Sequence, residues 1–143
     1  MPGPGRPDAE LRVTSAMSDL ARLHPWFDRA AAAAALPAAM LNGMQVALEE
    51  AVANIAMHAY PADAPGPIAV RLTRLAGGAA LTVEDEGPPF DPTGAVPRPR
   101  AASILDAEPG GHGLALIRHY CREVTYERDG RRNRLTMRFA QPG

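Results

Sequence analysis

Hydrophobic residues recur along the chain at two spacings, one typical of helices and one typical of strands. From about Pro37 to His58 they return every three or four residues in one stripe, which predicts a helix. Another helix is predicted before it, from about Ser18 to Leu36, with Ser18 as N-cap and Pro37 as boundary. The stripe of the later helix consists of Leu41, Met44, Leu48, Ala51, Val52, Ile55 and Ala59.

Short apolar runs bounded by turn residues predict strands in much of the remaining chain. The Gly77-Gly78 and Asp129-Gly130 pairs are hairpin signals, and a third helix is predicted over about Gly113–Tyr120. The predicted strands are about Leu11–Ser15, Ile68–Leu75, Ala79–Asp85, Glu123–Arg128 and Arg132–Phe139. The order β-α-α-β-β-α-β-β predicts an α/β (α+β) two-layer sandwich, with helices on one face of a mostly antiparallel sheet.

Length and charge narrow the class of protein. The chain has 143 residues, enough for one hydrophobic core, and 46% of them are hydrophobic. Its 15 basic residues nearly cancel 16 acidic ones, so we expect neither a nucleic-acid nor a membrane partner. Every basic residue is arginine, which excludes lysine-dependent mechanisms such as the P-loop type.

The N-terminus and the cysteine content bear on organisation and compartment. Residues 1–9 are rich in Pro and Gly and are predicted to be a disordered tail, which leaves residues 10–140 as a single domain. The lone Cys121 excludes an internal disulfide. The N-terminus lacks the apolar run of a signal peptide, and Ala30–Ala35 is too short to span a bilayer. We therefore expect a cytoplasmic protein.

Polar residues that suit chemistry occur in the later helix and after the second hairpin strand. Glu50, Asn54 and His58 are spaced by four and form one row beside the apolar stripe. Such a row alone is more typical of a solvated face, although Asn is a poor residue for a helix interior. Asp85 precedes Gly87 by two residues, a pattern typical of a turn. Alternatively, the carboxylate accepts a hydrogen bond from an amino group and the glycine admits a flat ring.

A glycine-rich segment opens the third predicted helix. Gly110-Gly111-His112-Gly113 would leave backbone N–H groups free for phosphate oxygens. A lone Gly-x-Gly is weak evidence, and a long loop, not a strand, precedes it, so the Rossmann context is missing. That loop, Glu86 to Gly111, is unusually long for a small domain, and such loops are often functional.

Taken in order, these elements resemble the GHKL (Bergerat-fold) ATP-binding superfamily. The closer likeness is to RsbW-like anti-sigma factor serine/threonine kinases, and it covers about residues 10–140. The segments that carry it are Glu50–Tyr60, Gly111–Arg118 and Asn133–Phe139. Histidine kinases share the ATP-binding fold but need a helical dimerisation and phosphoacceptor domain, for which this chain has no room. The resemblance implies a Bergerat-type mixed, mostly antiparallel sheet covered on one face by three helices.

The resemblance implies a catalytic and a metal-binding residue in the later helix. Glu50 would be the general base and Asn54 would hold Mg²⁺. Glu49 competes for the role of base, but only Glu50 has the family spacing to Asn54. Mg²⁺ takes few protein oxygens and keeps other positions for phosphates and water, which agrees with a single asparagine ligand.

The resemblance also implies contacts with ATP. Asp85 would accept a hydrogen bond from the adenine amino group, and Gly87 would pack near the ring. Gly111 and Gly113 would leave amides free for the phosphates, and Leu114 would open the helix behind them.

Further expectations concern the long loop and the last strand. The loop over about residues 92–110 resembles an ATP lid, in which Arg98 or Arg100 would neutralise γ-phosphate charge. The choice between these two arginines stays open. Thr136 is a weak candidate for an adenine contact, and His58 is expected to brace the end of its helix.

The function implied is that of an RsbW-like protein that binds ATP or ADP with Mg²⁺. It would phosphorylate a serine or threonine of a STAS-type anti-anti-sigma partner, sequester a sigma factor, and form a homodimer. The alternative is a non-catalytic ATP-binding regulatory module, which uses the nucleotide only as a conformational ligand. A third hypothesis is a degenerate domain that binds no nucleotide, but the intact Asp85, Asn54 and glycine set argues against it.

Overall fold

The computed structural model describes residues 4–92 and 111–142, which form a β-sheet with helices packed on one face. The strands are β1 (Ala9–Thr14), β2 (Pro67–Leu75), β3 (Gly78–Asp85), β4 (Glu123–Asp129) and β5 (Arg132–Ala140). The helices are α1 (Met17–Leu20), α2 (Leu23–Ala33), α3 (Ala38–His58) and α4 (Gly111–Tyr120). No helix among the described residues has both the length and the apolar character needed to cross a bilayer.

The five strands lie in the order β1-β2-β3-β5-β4, and every neighbouring pair is antiparallel. This confirms the predicted α+β class, but the expected mixture of strand directions is wrong for the described strands. The β2–β3 and β4–β5 hairpins turn at Gly77 and Gly130, whose φ angles of 77° and 60° favour glycine. After β3 the chain passes through α4 to β4, which lies at the edge of the sheet. The β4–β5 hairpin then places β5 between β4 and β3.

The core lies between one face of the sheet and helices α2, α3 and α4. Strand residues aligned across the sheet, such as Val70, Val83 and Leu135, point to this side and are buried. The predicted stripe of α3 supplies Met44 and Leu48, both fully buried. Trp26, Phe27 and Ile117 complete the layer from the other two helices. Helix α3 thus runs over the middle of the domain and carries its polar row past the sheet.

The single helix predicted from Ser18 to Leu36 is wrong, because the structure divides it into α1 and α2. Ser18 lies inside α1, whose N-cap position is Ala16, and makes no cap hydrogen bond. The Asp19 carboxylate accepts hydrogen bonds from the Thr14 backbone N–H at 2.6 Å and from Arg22 at 3.1 Å. These bonds hold the first turn against the end of β1.

The position of a proline explains where the second part begins. Pro25 lies in the first turn of α2, the part of a helix that tolerates a missing N–H. At the other end, Ala35 adopts a left-handed φ of 54°, which stops the helix before Leu36.

β1 starts at Ala9, and Asp8 already bonds to β2, with its backbone N–H 2.8 Å from the Leu72 carbonyl. The predicted tail over residues 1–9 and domain over residues 10–140 stay predictions.

On the sheet face opposite the helices, a buried carboxylate lies between two arginines. Glu84 is only 5% exposed, and it accepts hydrogen bonds from Arg71 and, at 3.1 Å, from Arg134. Arg71 also donates to Glu10 at 2.7 Å, and Arg134 donates to Glu127 at 3.1 Å. Burial by itself raises the pKa of Glu84, but the two arginines outweigh it and hold that pKa below its usual value.

We expect Glu84→Gln to lower the free energy of unfolding at neutral pH by roughly 2 kcal/mol, because a buried charged acceptor is lost. The ordinary pKa of this carboxyl is 4.5 and the folded-state pKa is lower. The stabilisation is therefore fully present above pH 4.5 and is lost as the pH falls through the folded-state pKa. Urea unfolding of both proteins over this pH range measures the difference, which should shrink in acid.

Glu127→Gln is the matched control, because Glu127 pairs with the same Arg134 but its side chain is 60% exposed. Its effect at neutral pH should stay within about 0.5 kcal/mol. A stability difference between wild type and Glu84→Gln that does not change with acidity would contradict the ionised pairing of Glu84.

Candidate functional site

The second half of α3 and the end of β3 meet at a small cavity of about 30 Å³. β4, β5 and the segment after β3 supply its other walls, so every layer of the domain contributes. The lining residues are Ala51, Asn54, Ile55, Val83, Asp85, Phe90, Pro92, Tyr126, Asn133 and Leu135. The cavity thus brings together Asn54 and Asp85, which the sequence had placed on separate elements.

Asp85 ends β3 with its side chain on the helix-covered face, and it is 5% exposed. Its Oδ1 accepts hydrogen bonds from the Gly87 backbone N–H at 2.8 Å and from Asn133 Nδ2 at 2.9 Å. Oδ2 has no hydrogen-bond partner among the described residues. Every fully buried side-chain nitrogen or oxygen in this part of the chain does have a partner, so Oδ2 is not fully buried. Asp85, which lines the cavity, therefore keeps one oxygen available as an acceptor.

Asn54 lies in the interior of α3 and is 8% exposed. Its side-chain amide forms no hydrogen bond within the described ranges, although Asn is unfavourable inside a helix. An amide oxygen is a suitable ligand for Mg²⁺, which commonly completes its shell with phosphate and water oxygens. Within residues 4–92 and 111–142, no group of three or more His, Cys, Asp or Glu side chains is arranged to hold a metal ion. Asn54 therefore fits a Mg²⁺ ion that arrives with a phosphate-bearing ligand.

The two adjacent glutamates of α3 have different surroundings. Glu49 is exposed, accepts a hydrogen bond from Gln45 at 3.0 Å and lies 3.7 Å from His24 of α2. Glu50 is partly buried, one helical turn before Asn54, and forms no hydrogen bond or ion pair with the described part of the chain. Glu50 does not line the cavity, but it is the uncommitted carboxylate on the row of Asn54.

Gly87 lies where the segment after β3 touches the end of α3. A Cβ atom at this position would be 2.6 Å from Ala59 Cβ and 2.8 Å from Ala59 Cα. Only glycine therefore allows the two backbones to approach this closely. The predicted packing of Gly87 near a ring stays a prediction, since this backbone contact is a separate reason for glycine.

Two aromatic residues also fasten the end of α3. The Tyr60 hydroxyl donates to the Pro67 carbonyl and accepts from the Glu86 backbone N–H, both at 2.7 Å. Burial raises the pKa of Tyr60, so its hydroxyl remains a donor. The His58 ring stacks on Phe90 with centroids 4.9 Å apart and thereby supports one wall of the cavity.

Asn133 is a site residue that sequence reasoning missed. It is 5% exposed, and besides Asp85 its Nδ2 donates to the Pro88 carbonyl at 2.9 Å. Its Oδ1 accepts hydrogen bonds from the Tyr126 hydroxyl and, at 3.2 Å, from Arg128. A signal was present, because Asn133 occupies a core-facing position in the alternating series Asn133, Leu135, Met137 and Phe139.

Thr136, the candidate for an adenine contact, does not line the cavity. It lies between Leu135 and Met137, opposite Thr82 and Thr125 in the neighbouring strands. Successive side chains of a strand point to opposite faces, so Thr136 lies on the face of Glu84, away from the cavity. The polar residue that β5 contributes to the cavity is Asn133.

The remaining predicted residues lie in or before α4. Gly111, Gly113 and Leu114 belong to its first turn, since the helix starts at Gly111 and not at the predicted Gly113. The helix packs against α3, where the Tyr120 ring lies over Gly43. Arg98 and Arg100 lie outside the described residues, as does the predicted lid after Pro92.

Comparison with known proteins agrees with this geometry. Residues 13–139 match the family described as the histidine kinase-like ATPase domain. Over 89 residues the chain is 39% identical to the serine/threonine-protein kinase BtrW of Bordetella bronchiseptica. The aligned part covers 62% of this chain and 63% of that kinase, so it spans less than two thirds of the relative.

We expect Gly87→Ala to destabilise the protein by at least about 2 kcal/mol, because the added methyl group overlaps the backbone of Ala59. Urea unfolding measures the loss. In an Ala59→Gly background the Cβ–Cβ overlap disappears while the overlap with the Cα atom remains, so part of the stability should return. Equal stability of Gly87→Ala and wild type would show that the two segments do not touch.

Proposed function

The chain belongs to the histidine kinase-like ATPase domain family, and from that premise we propose that it is an ATP-dependent serine/threonine protein kinase. The family implies ATP binding. The observation that carries the proposal is the pair of uncommitted polar groups in one cavity, Asp85 Oδ2 and the Asn54 amide. We take the sandwich to be of the Bergerat type, with this cavity at the adenine end of the ATP site.

Each group has a chemical role in this proposal. Asp85 Oδ2 accepts a hydrogen bond from the amino group of adenine. Asn54 holds the Mg²⁺ ion, which supplies neutralisation of phosphate charge when it is bound. Glu50 takes the proton of the substrate hydroxyl. The hydroxyl oxygen attacks the γ-phosphorus, and the bond between this phosphorus and the oxygen that bridges to the β-phosphate breaks, which releases ADP.

The cavity is narrow in this structure, with a volume of about 30 Å³. We propose that one wall moves outwards to admit the purine. Phe90 and Pro92 form walls and lie after the end of β3, where no strand pairing holds them. We place the movement there.

The proposed protein partners follow the RsbW-like resemblance. The phosphate acceptor is a serine or threonine of a STAS-type anti-anti-sigma protein, and the same domain sequesters a sigma factor in the cytoplasm. The relative BtrW is named a serine/threonine-protein kinase, which supports the type of reaction. We also propose a homodimer formed through the first strand and helix.

One observation favours the alternative of a non-catalytic ATP-binding regulatory module. Glu50 does not line the cavity in which Asn54 and Asp85 meet. If Glu50 also stays away from the substrate hydroxyl when ATP is bound, the nucleotide serves only as a conformational ligand. A substitution at Glu50 distinguishes the two functions.

We expect Glu50→Gln to lower phosphoryl transfer by about 10²–10⁴-fold, the usual contribution of a general base. ATP binding should change little, because Glu50 lies outside the cavity. Transfer of labelled phosphate from ATP to purified STAS-domain proteins of the same organism measures the first quantity, and calorimetry measures the second.

Glu49→Gln is the matched control, since Glu49 is the neighbouring carboxylate and is bonded to Gln45. It should retain both binding and transfer. An unchanged transfer rate in Glu50→Gln would remove Glu50 from the role of base. ATP binding without transfer in the wild type would favour the regulatory module, and no ATP binding would overturn the ATP site.

A further inference from the structure

We infer that the outer edge of β4 is a docking site for an extended segment of a partner protein, in which basic residues alternate with apolar residues. The segment adds a sixth strand to the sheet through backbone hydrogen bonds. The inference goes beyond the proposed function and makes no use of the ATP site.

The sheet has two edge strands, β1 and β4, and they differ in what covers them. At β1 the Asp19 carboxylate accepts a hydrogen bond from the Thr14 backbone N–H at 2.6 Å. Arg22 donates to the Arg12 carbonyl at 3.4 Å. Side chains that follow β1 thus occupy backbone groups that an added strand would use, which protects this edge from further pairing.

The pairing of β4 shows which of its backbone groups face outwards. Arg122 donates its backbone N–H to the Arg138 carbonyl at 2.7 Å, so the backbone of Arg138 is directed towards β4. Arg138 is the register partner of Glu123, and every second pair from there exchanges backbone hydrogen bonds. The residues between them direct their N–H and C=O groups away from the sheet, namely Val124, Tyr126 and Arg128. No hydrogen bond reaches these backbone groups within the part of the chain that the structure describes.

The charged side chains of β4 determine which residues of a partner fit one face of the edge. On the sheet face opposite the helices, β4 presents three carboxylates with side chains between 41% and 71% exposed, namely Glu123, Glu127 and Asp129. The arginines that pair with them, Arg134 and Arg138, both lie on β5, so the carboxylates are neutralised only from that side. Basic residues of an added strand supply positive charge from the other side.

On the other face, an added strand extends the apolar layer. Val124 and Tyr126 are partly buried and pack against the core from β4. Because side chains of neighbouring strands align on each face, apolar residues of the segment pack beside them. A segment that alternates basic and apolar residues therefore fits both faces at once.

The same charges make a second copy of β4 an unsuitable occupant. Two β4 strands paired antiparallel would place acidic residues of one copy opposite acidic residues of the other, on the face of Glu127. Like charges directly opposite each other are destabilising. We therefore assign the edge to a different protein.

The experiment titrates the full chain with two acetylated and amidated hexapeptides, Arg-Val-Arg-Val-Arg-Val and Glu-Val-Glu-Val-Glu-Val. The basic peptide should bind at least about tenfold more tightly than the acidic one, because its charges complement those of β4. Hydrogen exchange at the backbone amides of Val124, Tyr126 and Arg128, measured by NMR, should slow when the basic peptide binds. A basic peptide that neither binds nor slows this exchange overturns the inference and leaves the ATP site untouched.

N-methylated peptides separate strand pairing from simple attraction between charges. Successive N–H groups of a strand point to opposite edges, so methylating the arginine amides blocks one edge of the basic peptide and methylating the valine amides blocks the other. One methylated peptide should lose affinity by at least about tenfold, and the other should keep it. Equal affinities of the two methylated peptides would overturn the inference.

Glu127→Arg should weaken binding of the basic peptide by about tenfold, because the central carboxylate of β4 becomes a cation. Glu49→Arg is the matched control, since it changes the net charge by the same amount at an exposed position of α3. It should leave the affinity unchanged, and an equal loss in both variants contradicts docking at β4. If Glu127→Arg does not fold, the methylated peptides on the wild type decide.

Exchange rates of the protein without peptide test the other possible occupants. Slow exchange at the Val124, Tyr126 and Arg128 amides in the protein alone would show that the edge is already covered and would overturn the inference. A dependence of that slow exchange on protein concentration would assign the edge to a second copy. Slow exchange at every concentration would assign it to another part of the same chain.

Discussion

The structure depends on how a buried carboxylate is stabilised at the end of the central part of the sheet. Asp85 is nearly enclosed, and an ion in such a place is costly unless hydrogen bonds compensate. The turn at Gly87 supplies one donor, and Asn133 on the neighbouring strand supplies another. The turn brings Gly87 against Ala59, where a Cβ atom on residue 87 would overlap the end of α3. The turn after β3, the end of α3 and the pairing of β3 with β5 therefore meet at Asp85.

Consecutive residues of β3 show two ways to bury a charge. Glu84 points away from the helices, and both of its oxygens accept hydrogen bonds from arginines, so its charge is neutralised within the protein. Asp85 points towards the helices, and among the residues that the structure describes only its Oδ1 has a hydrogen-bond partner. Both oxygens of Glu84 already accept hydrogen bonds from arginines, whereas Asp85 keeps one oxygen that can accept a hydrogen bond from a ligand. The pleat of a single strand thus separates a structural carboxylate from one suited to a ligand.

The sequence predicted the local elements better than the relations between them. Apolar spacing was sufficient for α3, and the Gly-Gly and Asp-Gly pairs were sufficient for the two hairpins, because these depend on neighbours in the chain. The first turn, α1, is held against β1 by the Asp19 carboxylate, a contact that no spacing reveals. Asp85 and Asn54, each singled out from a local motif, both line the cavity, and their roles towards a ligand stay predictions. Neither the place of Asn133 in the cavity nor the face on which Thr136 lies was predicted, since the partner of a strand and its register appear only in the assembled sheet.

The arginine-rich face opposite the helices has a consequence for regulation by covalent modification. Its cations are arginines, and the whole chain contains no lysine side chain. Acetylation of lysine, a common way to remove positive charge from a protein surface, therefore has no target here. A guanidinium also keeps its charge at any pH that a cell reaches. Among its charged side chains, only the carboxylates change charge with pH, and none is a target of lysine acetylation.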